Sequence, residues 1–439
     1  VNAIPAKPRI RPLEMFPHGP DGDYVLRDPS GLAKTVVLPP AAAILVSLMN
    51  GRRTHDEIRA EFQRTVEQRI DVTEIEKLVA QLDELYFLDS LRFATYEMRS
   101  EEDYLELAVR PAAHAGGAYY SEPSGLREQL GDLFTREGGP GLLPWEGIKS
   151  PSHVLGGGHN IQMQGGGGSV SELTLQSKLC GVMSPHIDFH RGGSSFAWAY
   201  DRVVTDSPAK LFVILGTAHT PLKSFYSVSQ KNFDTPLGTA VTDRQFIDDL
   251  AMRLGNPDKI FRDELPHRHE HSIEFQALML QYVLGGRRDY KIVPILVGSF
   301  HPFVQHGRLP KESPVVAEFI EALGETATAT GEDVCFVGGV DMAHIGQQFG
   351  DPELLDDERL KIQWTDDQNL LVKACAGDAE AWFEHVAKQG DANRICGLAP
   401  MYTLLETIKP KRGELLKYDQ AVADDRTSCV SFASVAFYE

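Results

Sequence analysis

Four segments constrain this chain more than any other feature: LCGVMSP from residue 179, LFVILGTAH from 211, KIVPILVGSF from 291 and VCFVGGVDMAH from 334. Each is a short, almost unbroken apolar run, the pattern of a strand buried on both faces, whereas a half-exposed strand alternates apolar with polar residues. Between them lie helical stretches such as SIEFQALMLQYVL, where Ile273, Phe275, Leu278 and Tyr282 recur with roughly helical spacing. Strands alternating with helices predict an α/β fold, a mostly parallel sheet with helices on both faces. In such a sheet ligands collect in the crevice outside the carboxyl ends of the strands, so those ends are where chemistry is sought.

Three of the four runs end in a histidine: Pro185-His186, Thr217-Ala218-His219 and Asp341-Met342-Ala343-His344. Residues so far apart in sequence meet only through the tertiary fold. A fourth segment, PHRHEHSIE, sets His267, His269 and His271 beside Glu270 and Glu274 just before a helix. Read as extended chain, it turns alternate imidazoles to one face, with Glu270 at the helix start, where negative charge is favoured. Two imidazoles and a carboxylate with open positions suit non-haem iron(II), and imidazole also suits zinc and copper. Taken singly, a loop histidine is more often a satisfied hydrogen-bonding residue, Asp341 a turn cap, and His190 and Arg191 solvated surface. Their joint occurrence at strand ends favours a shared metal or acid-base site. Cysteine nucleophiles, Cys396 in ICGLAP and Cys429 in SCVSF, are the weaker alternative, since small thiols near apolar segments are commonly buried and inert.

The formal charge of −19 disfavours nucleic acid and anionic lipid as partners. Five scattered cysteines without a CxxC point to reduced thiols in the cytoplasm rather than a disulfide framework. No apolar run reaches the roughly 18 to 20 residues that span a bilayer, and VNAIPAKPRIRP lacks the apolar core of a secretory signal, so no membrane association is expected.

Residues 1–100 read as a separate small domain. YVLRDP and KTVVLPP are strand-like, AAAILVSLMNG is an apolar helix closed by Gly51, and Thr54 with Glu57 and Thr73 with Glu76 form two capping boxes ahead of two further helices. YFLDSLRF then follows as a strand or wing, which makes the unit winged-helix-like. Its last helix carries Glu74, Glu76, Asp83 and Glu84 against Lys77, so it is suited to docking a peptide or another part of the chain and not to reading DNA. The glycine-rich stretch 136–170 has no GK[ST] leading into a helix and reads as a linker or surface excursion, with His159 within it.

HAGGAYY at 114–120, SPHIDF at 184–189, LGTAHTP at 215–221, EHSIEFQ at 270–276, VPILVGS at 293–299, GGVDMAHIG at 338–346, CGLAP at 396–400 and the tail SCVSFASVAF resemble, in order over residues 107–439, the Memo family. That family is also called AmmeMemoRadiSam system protein B and is related in fold to the class III extradiol dioxygenases. Residues 11–95 loosely resemble the PqqD-like winged-helix domains that bind peptides or partner enzymes. The Memo resemblance implies metal binding by His186 and His219 and an acid-base role for His271. It puts the third ligand position on Ala343, which cannot ligate, so Asp341 and His344, or else Asp188 on the first loop, are expected to supply the ligand, with Asp341 as the metal-binding and His344 as a catalytic residue. Asp188, His190 and Arg191 are expected on the pocket rim, selecting an anionic or oxygen-rich ligand, with Glu270 and Cys396 also in the pocket. The implied function is a non-haem iron oxidoreductase of extradiol type, with copper or zinc as other ions. Its alternatives are a non-enzymatic metal- or peptide-binding partner of a radical S-adenosylmethionine enzyme, and a metal-dependent hydrolase.

Overall fold

Residues 4–19, 22–28, 32–66, 68–145, 178–256 and 258–439 are described by the computed structural model. The segments LGGGHN and QGGGG, with His159, lie outside the described residues. The chain divides into two units, Val1–Leu107 and Ala108–Glu439.

In the first unit the strand-like pieces form β2 (Asp23–Arg27) and β3 (Val36–Leu38), joined by an exposed β1 (Glu14–His18) in one antiparallel sheet. Helices Pro40–Leu48, His55–Val66, Val72–Glu84 and Leu91–Glu106 follow, and Ile58, Phe62, Ile75, Val79 and Leu82 build the core between them. The first capping box forms as expected: Thr54 N donates to Glu57 Oε2 at 2.7 Å and Glu57 N to Thr54 Oγ1 at 3.3 Å. The second does not, because Asp71 lies two residues earlier and its carboxylate accepts from Thr73 N at 2.9 Å, capping the helix itself. The wing expected in YFLDSLRF is also corrected. Ser90 accepts from Phe93 N at 3.2 Å and starts a helix at Leu91, so the last three residues of that segment are helical.

The second unit begins with β4 (Val109–Arg110) and helix Pro123–Thr135, and continues through β5 (Leu179–Ser184), β6 (Leu211–Thr217), β7 (Tyr226–Val228), β8 (Asn232–Phe233), β9 (Lys291–Val297), β10 (Val334–Gly339), β11 (His344–Ile345), β12 (Arg412–Val422) and β13 (Cys429–Tyr438). The four apolar runs form the centre of one sheet in the order β5-β10-β6-β9, all parallel. Antiparallel strands extend both edges: β13 beside β5, paired in turn with β11 and β12, and β7 beside β9. Along β6, Val213 and Leu215 enter one apolar core and Phe212 and Ile214 the other. Helices cover both faces, Tyr200 and Leu278 packing on one side and Phe319 and Leu404 on the other, which is why the run carries no polar alternation. No helix among the described residues is long and apolar enough to cross a membrane, and all five cysteines are free.

Helix His271–Leu284 is nearly all buried and its amino-terminal turn presses on the ends of β6 and β10. Two glycines permit this approach. A Cβ on Gly216 would lie 2.6 Å from Ser272 Oγ, and one on Gly339 would lie 2.5 Å from the Ser272 carbonyl oxygen. Ser272 Oγ donates to Thr217 O at 2.8 Å and Gln276 Nε2 to Pro185 O at 2.8 Å, fastening the helix to the loops that carry His219 and His186. Gly339→Ala must therefore push backbone off backbone, and it is expected to lower stability by about 1 to 3 kcal/mol in urea denaturation.

Candidate metal centre

His186 follows β5, His219 follows β6, and His271 opens the helix that crosses their ends. One ring nitrogen from each lies within 4.8 Å of the others. Ring centroids are 5.0 Å apart for His186 and His219, 5.2 Å for His186 and His271, and 4.8 Å for His219 and His271. Oxygen acceptors fix the opposite nitrogens of His186 and His219. His186 Nδ1 is 2.8 Å from the Gly339 carbonyl, which only accepts, so this nitrogen carries the proton and leaves Nε2 bare. His219 Nδ1 sits 3.0 Å from Glu270 Oε1, and His271 Nδ1 is 3.3 Å from the same oxygen. Glu270 also accepts from His219 N at 2.9 Å and from Ser272 N at 3.0 Å, so one buried carboxylate caps the helix and orients the His219 ring.

Burial pushes His186 and His271 down to about 3, each also opposed by the charge of a neighbouring imidazole. Both are therefore neutral at physiological pH, the state in which imidazole ligates. Burial works against a charged His219 too, but its hydrogen bond to Glu270 and that carboxylate's charge prevail and raise it. Burial likewise opposes ionisation of Glu270, and the hydrogen bond from His219 with the nearby imidazoles holds the carboxyl well below the usual range.

Asp341 lies at the edge of the cluster, with Oδ2 3.6 Å from His186 Nε2 and Oδ1 accepting from His186 N at 2.9 Å. Burial raises its carboxyl to about 6. The Cys396 thiol donates towards His186 Nε2 at 3.3 Å, and burial raises its pKa well above the ordinary thiol value. Gly397 brings it there, since a Cβ at that position would meet the Asp341 carbonyl oxygen at 2.5 Å. Ala343 is fully buried and its amide donates to Ser431 Oγ at 3.0 Å. His344 is turned differently: Nδ1 faces the carbonyls of Met342 and Arg394, each at 3.2 Å, and its ring packs edge-on against Phe349.

The remaining residues singled out in the sequence take other places. Asp188 caps the single helical turn Phe189–Gly192 and pairs with Arg191 Nε at 2.6 Å, while His190 is exposed. None of these three lines the cavity of about 250 Å³ beside His219. The extended reading of PHRHEHSIE is corrected: Leu265–Arg268 is a 3-10 turn, so His267 points at Ser227 and His269 is exposed, leaving His271 to face the other two rings. Glu274 turns away and pairs with Arg110 Nη1 at 2.7 Å. Sequence reasoning overlooked His114, whose ring stands 5.7 Å from that of His271, and His301, Asp391 and Arg394, which line the cavity with Cys396. His301 carried a legible signal, because it too ends an apolar strand run.

A family model described as Memo-like protein matches residues 110–436, which include every residue of this cluster. The chain belongs to the Memo family. A MEMO1 family protein of Aquifex aeolicus is 25% identical over 435 residues, covering 98% of this chain and all of that protein. A MEMO1 family protein of Methanopyrus kandleri is 26% identical over 334 residues, 75% of this chain and 98% of its own, and one of Thermococcus kodakarensis is 27% identical over 272 residues, 59% of this chain and 87% of its own. The bacterial relative thus matches through the first unit as well. In this Memo chain the histidine cluster is the feature on which function is best argued.

Proposed function

We propose that this Memo protein holds one divalent metal ion between His186, His219 and His271, iron(II) by preference and copper or zinc otherwise, and uses it in oxidoreductase chemistry of extradiol dioxygenase type on a small organic ligand. The observation that carries this is the set of three mutually reachable imidazoles, two of them with an oxygen acceptor hydrogen-bonded behind Nδ1. Acceptors behind ligating imidazoles fix the tautomer and aim the free nitrogen at a common point, and the donor set suits the ion. When bound, iron(II) supplies open coordination positions and one-electron chemistry.

The chain's own groups supply the rest. Glu270 holds His219, and its charge lies 3.3 Å from His271 Nδ1. Asp341, raised to about 6 and 3.6 Å from His186 Nε2, is the group able to take or give a proton near neutral pH. In this reading His271 is a ligand, and the proton-holding role expected of it passes to Asp341. The Cys396 thiol, 3.3 Å from His186 Nε2, borders the site as a neutral group.

Anaerobic loading with iron(II) followed by elemental analysis tests the proposal. About one ion per chain is expected in the parent protein, and less than about a tenth of that in His186→Ala and His219→Ala. His306→Ala, an exposed histidine whose Nδ1 faces the Pro302 carbonyl at 2.6 Å, is expected to retain full occupancy. Equal retention in all three variants overturns the site. Oxygen uptake by the iron-loaded protein with a catechol panel tests the reaction, and no uptake at full occupancy overturns it.

A further inference from the structure

The second unit carries another, larger groove of about 660 Å³. Its floor is apolar: Phe319 stacks on Tyr226 with ring centroids 3.7 Å apart, and Phe225 and Ile260 continue the surface. Its rim carries Lys223, Lys259 and Arg262, all exposed, with Glu318 as the one carboxylate of the lining. Three cations against one carboxylate run counter to a chain whose formal charge is −19. Among the described residues none of the three makes an ion pair. The neighbouring Asp263 is buried and taken up by the amides of Lys223 and Ser224, at 2.8 and 3.1 Å.

The groove lies beside the cavity that His219 lines. Gly298 and Ser299 line both, and the chain from His219 to Lys223 runs from one into the other. A concave apolar floor with a few convergent charges is the ordinary construction of a small-molecule site, the floor taking the body of the ligand and the charges setting its orientation. Unpaired cations at an apolar rim favour a negative group there and disfavour a positive one.

We propose that this groove binds a carboxylate with an alkyl or aromatic body. Its body lies on Phe225, Tyr226 and Phe319 and its charge meets Lys223, Lys259 and Arg262. Such an organic anion is the substrate class for the histidine pocket, a clause that rests on the metal reading above, whereas binding in the groove does not.

Displacement of 8-anilinonaphthalene-1-sulfonate from the metal-free full chain, followed by fluorescence, tests the groove. Decanoate is expected to displace the dye at one site, about tenfold or more tighter than decanol, with decyltrimethylammonium weaker still. The triple variant Lys223→Glu, Lys259→Glu, Arg262→Glu is expected to bind decanoate at least about tenfold more weakly with an unchanged unfolding midpoint, since all three side chains are exposed. Equal affinity for decanoate and decanol, or unaltered decanoate binding by the triple variant, overturns the site. His186→Ala is expected to bind decanoate normally. In cobalt(II)-loaded protein decanoate is expected to shift the visible absorption. Binding without a shift overturns the link to the histidine pocket, and failure of cobalt to bind overturns the metal reading while leaving the groove intact.

Discussion

Arg110→Met is expected to destabilise the protein by about 3 to 5 kcal/mol at neutral pH, seen as a lower urea midpoint with unchanged slope. Arg110 is completely buried. Its fork donates from Nη1 to Glu274 Oε2 at 2.7 Å, from Nε to His267 O at 2.6 Å and from Nη2 to Glu270 O at 2.9 Å. Methionine matches the stem in volume and leaves a buried carboxylate and two carbonyls without this donor, the costly way to break a buried pair. Glu274 also accepts from Ala113 N, His114 N and the Tyr119 hydroxyl, so the HAGGAYY loop loosens with it. The effect depends on pH with a definite sign. Burial opposes ionisation of Glu274, but Arg110 outweighs it and holds the carboxyl below 4.5. In the parent this contribution is complete above 4.5 and fades as pH falls through the folded value. The deficit of Arg110→Met is thus largest at neutral pH and narrows in acid.

Glu270→Gln is expected to weaken iron(II) binding by about 10 to 100-fold, measured by competition with a chelator, with the fold retained by circular dichroism. Glutamine that keeps its oxygen at the Oε1 place still caps Ser272 N, but it loses the charge that holds His219, and its amide nitrogen then meets the His219 backbone N–H, a donor against a donor. His219 is then free to take the tautomer that turns a proton towards the pocket. Loss of metal without loss of fold separates this orienting role from a merely structural one. Undiminished affinity would mean that the carboxylate serves only as a helix cap.

Much of this architecture is legible in the residues, because an apolar run without alternation can be buried only between two covered faces. LFVILGT and its three companions thus announce the parallel centre of the sheet, and His186 and His219 at their ends announce the crevice. The antiparallel edge at β13 was less legible, since SCVSFASVAF shows only that a strand is buried and not which neighbour it pairs with. The sequence also left His267, His269 and His271 equivalent. Arg110 grips the carbonyls of His267 and Glu270, and the chain between them turns instead of extending, so one imidazole faces the core, one the solvent and one the cluster.

Local pattern in the residues therefore accounts for the layers of the second unit, the strand ends that bear imidazoles and the family. Folding in three dimensions instead sets which distant side chains share a point in space: Glu270 behind His219, and Cys396 rather than Ala343 beside His186. Those choices turn on hydrogen bonds between residues as much as 210 positions apart, and no local periodicity encodes the rotation of a turn that such distant contacts set.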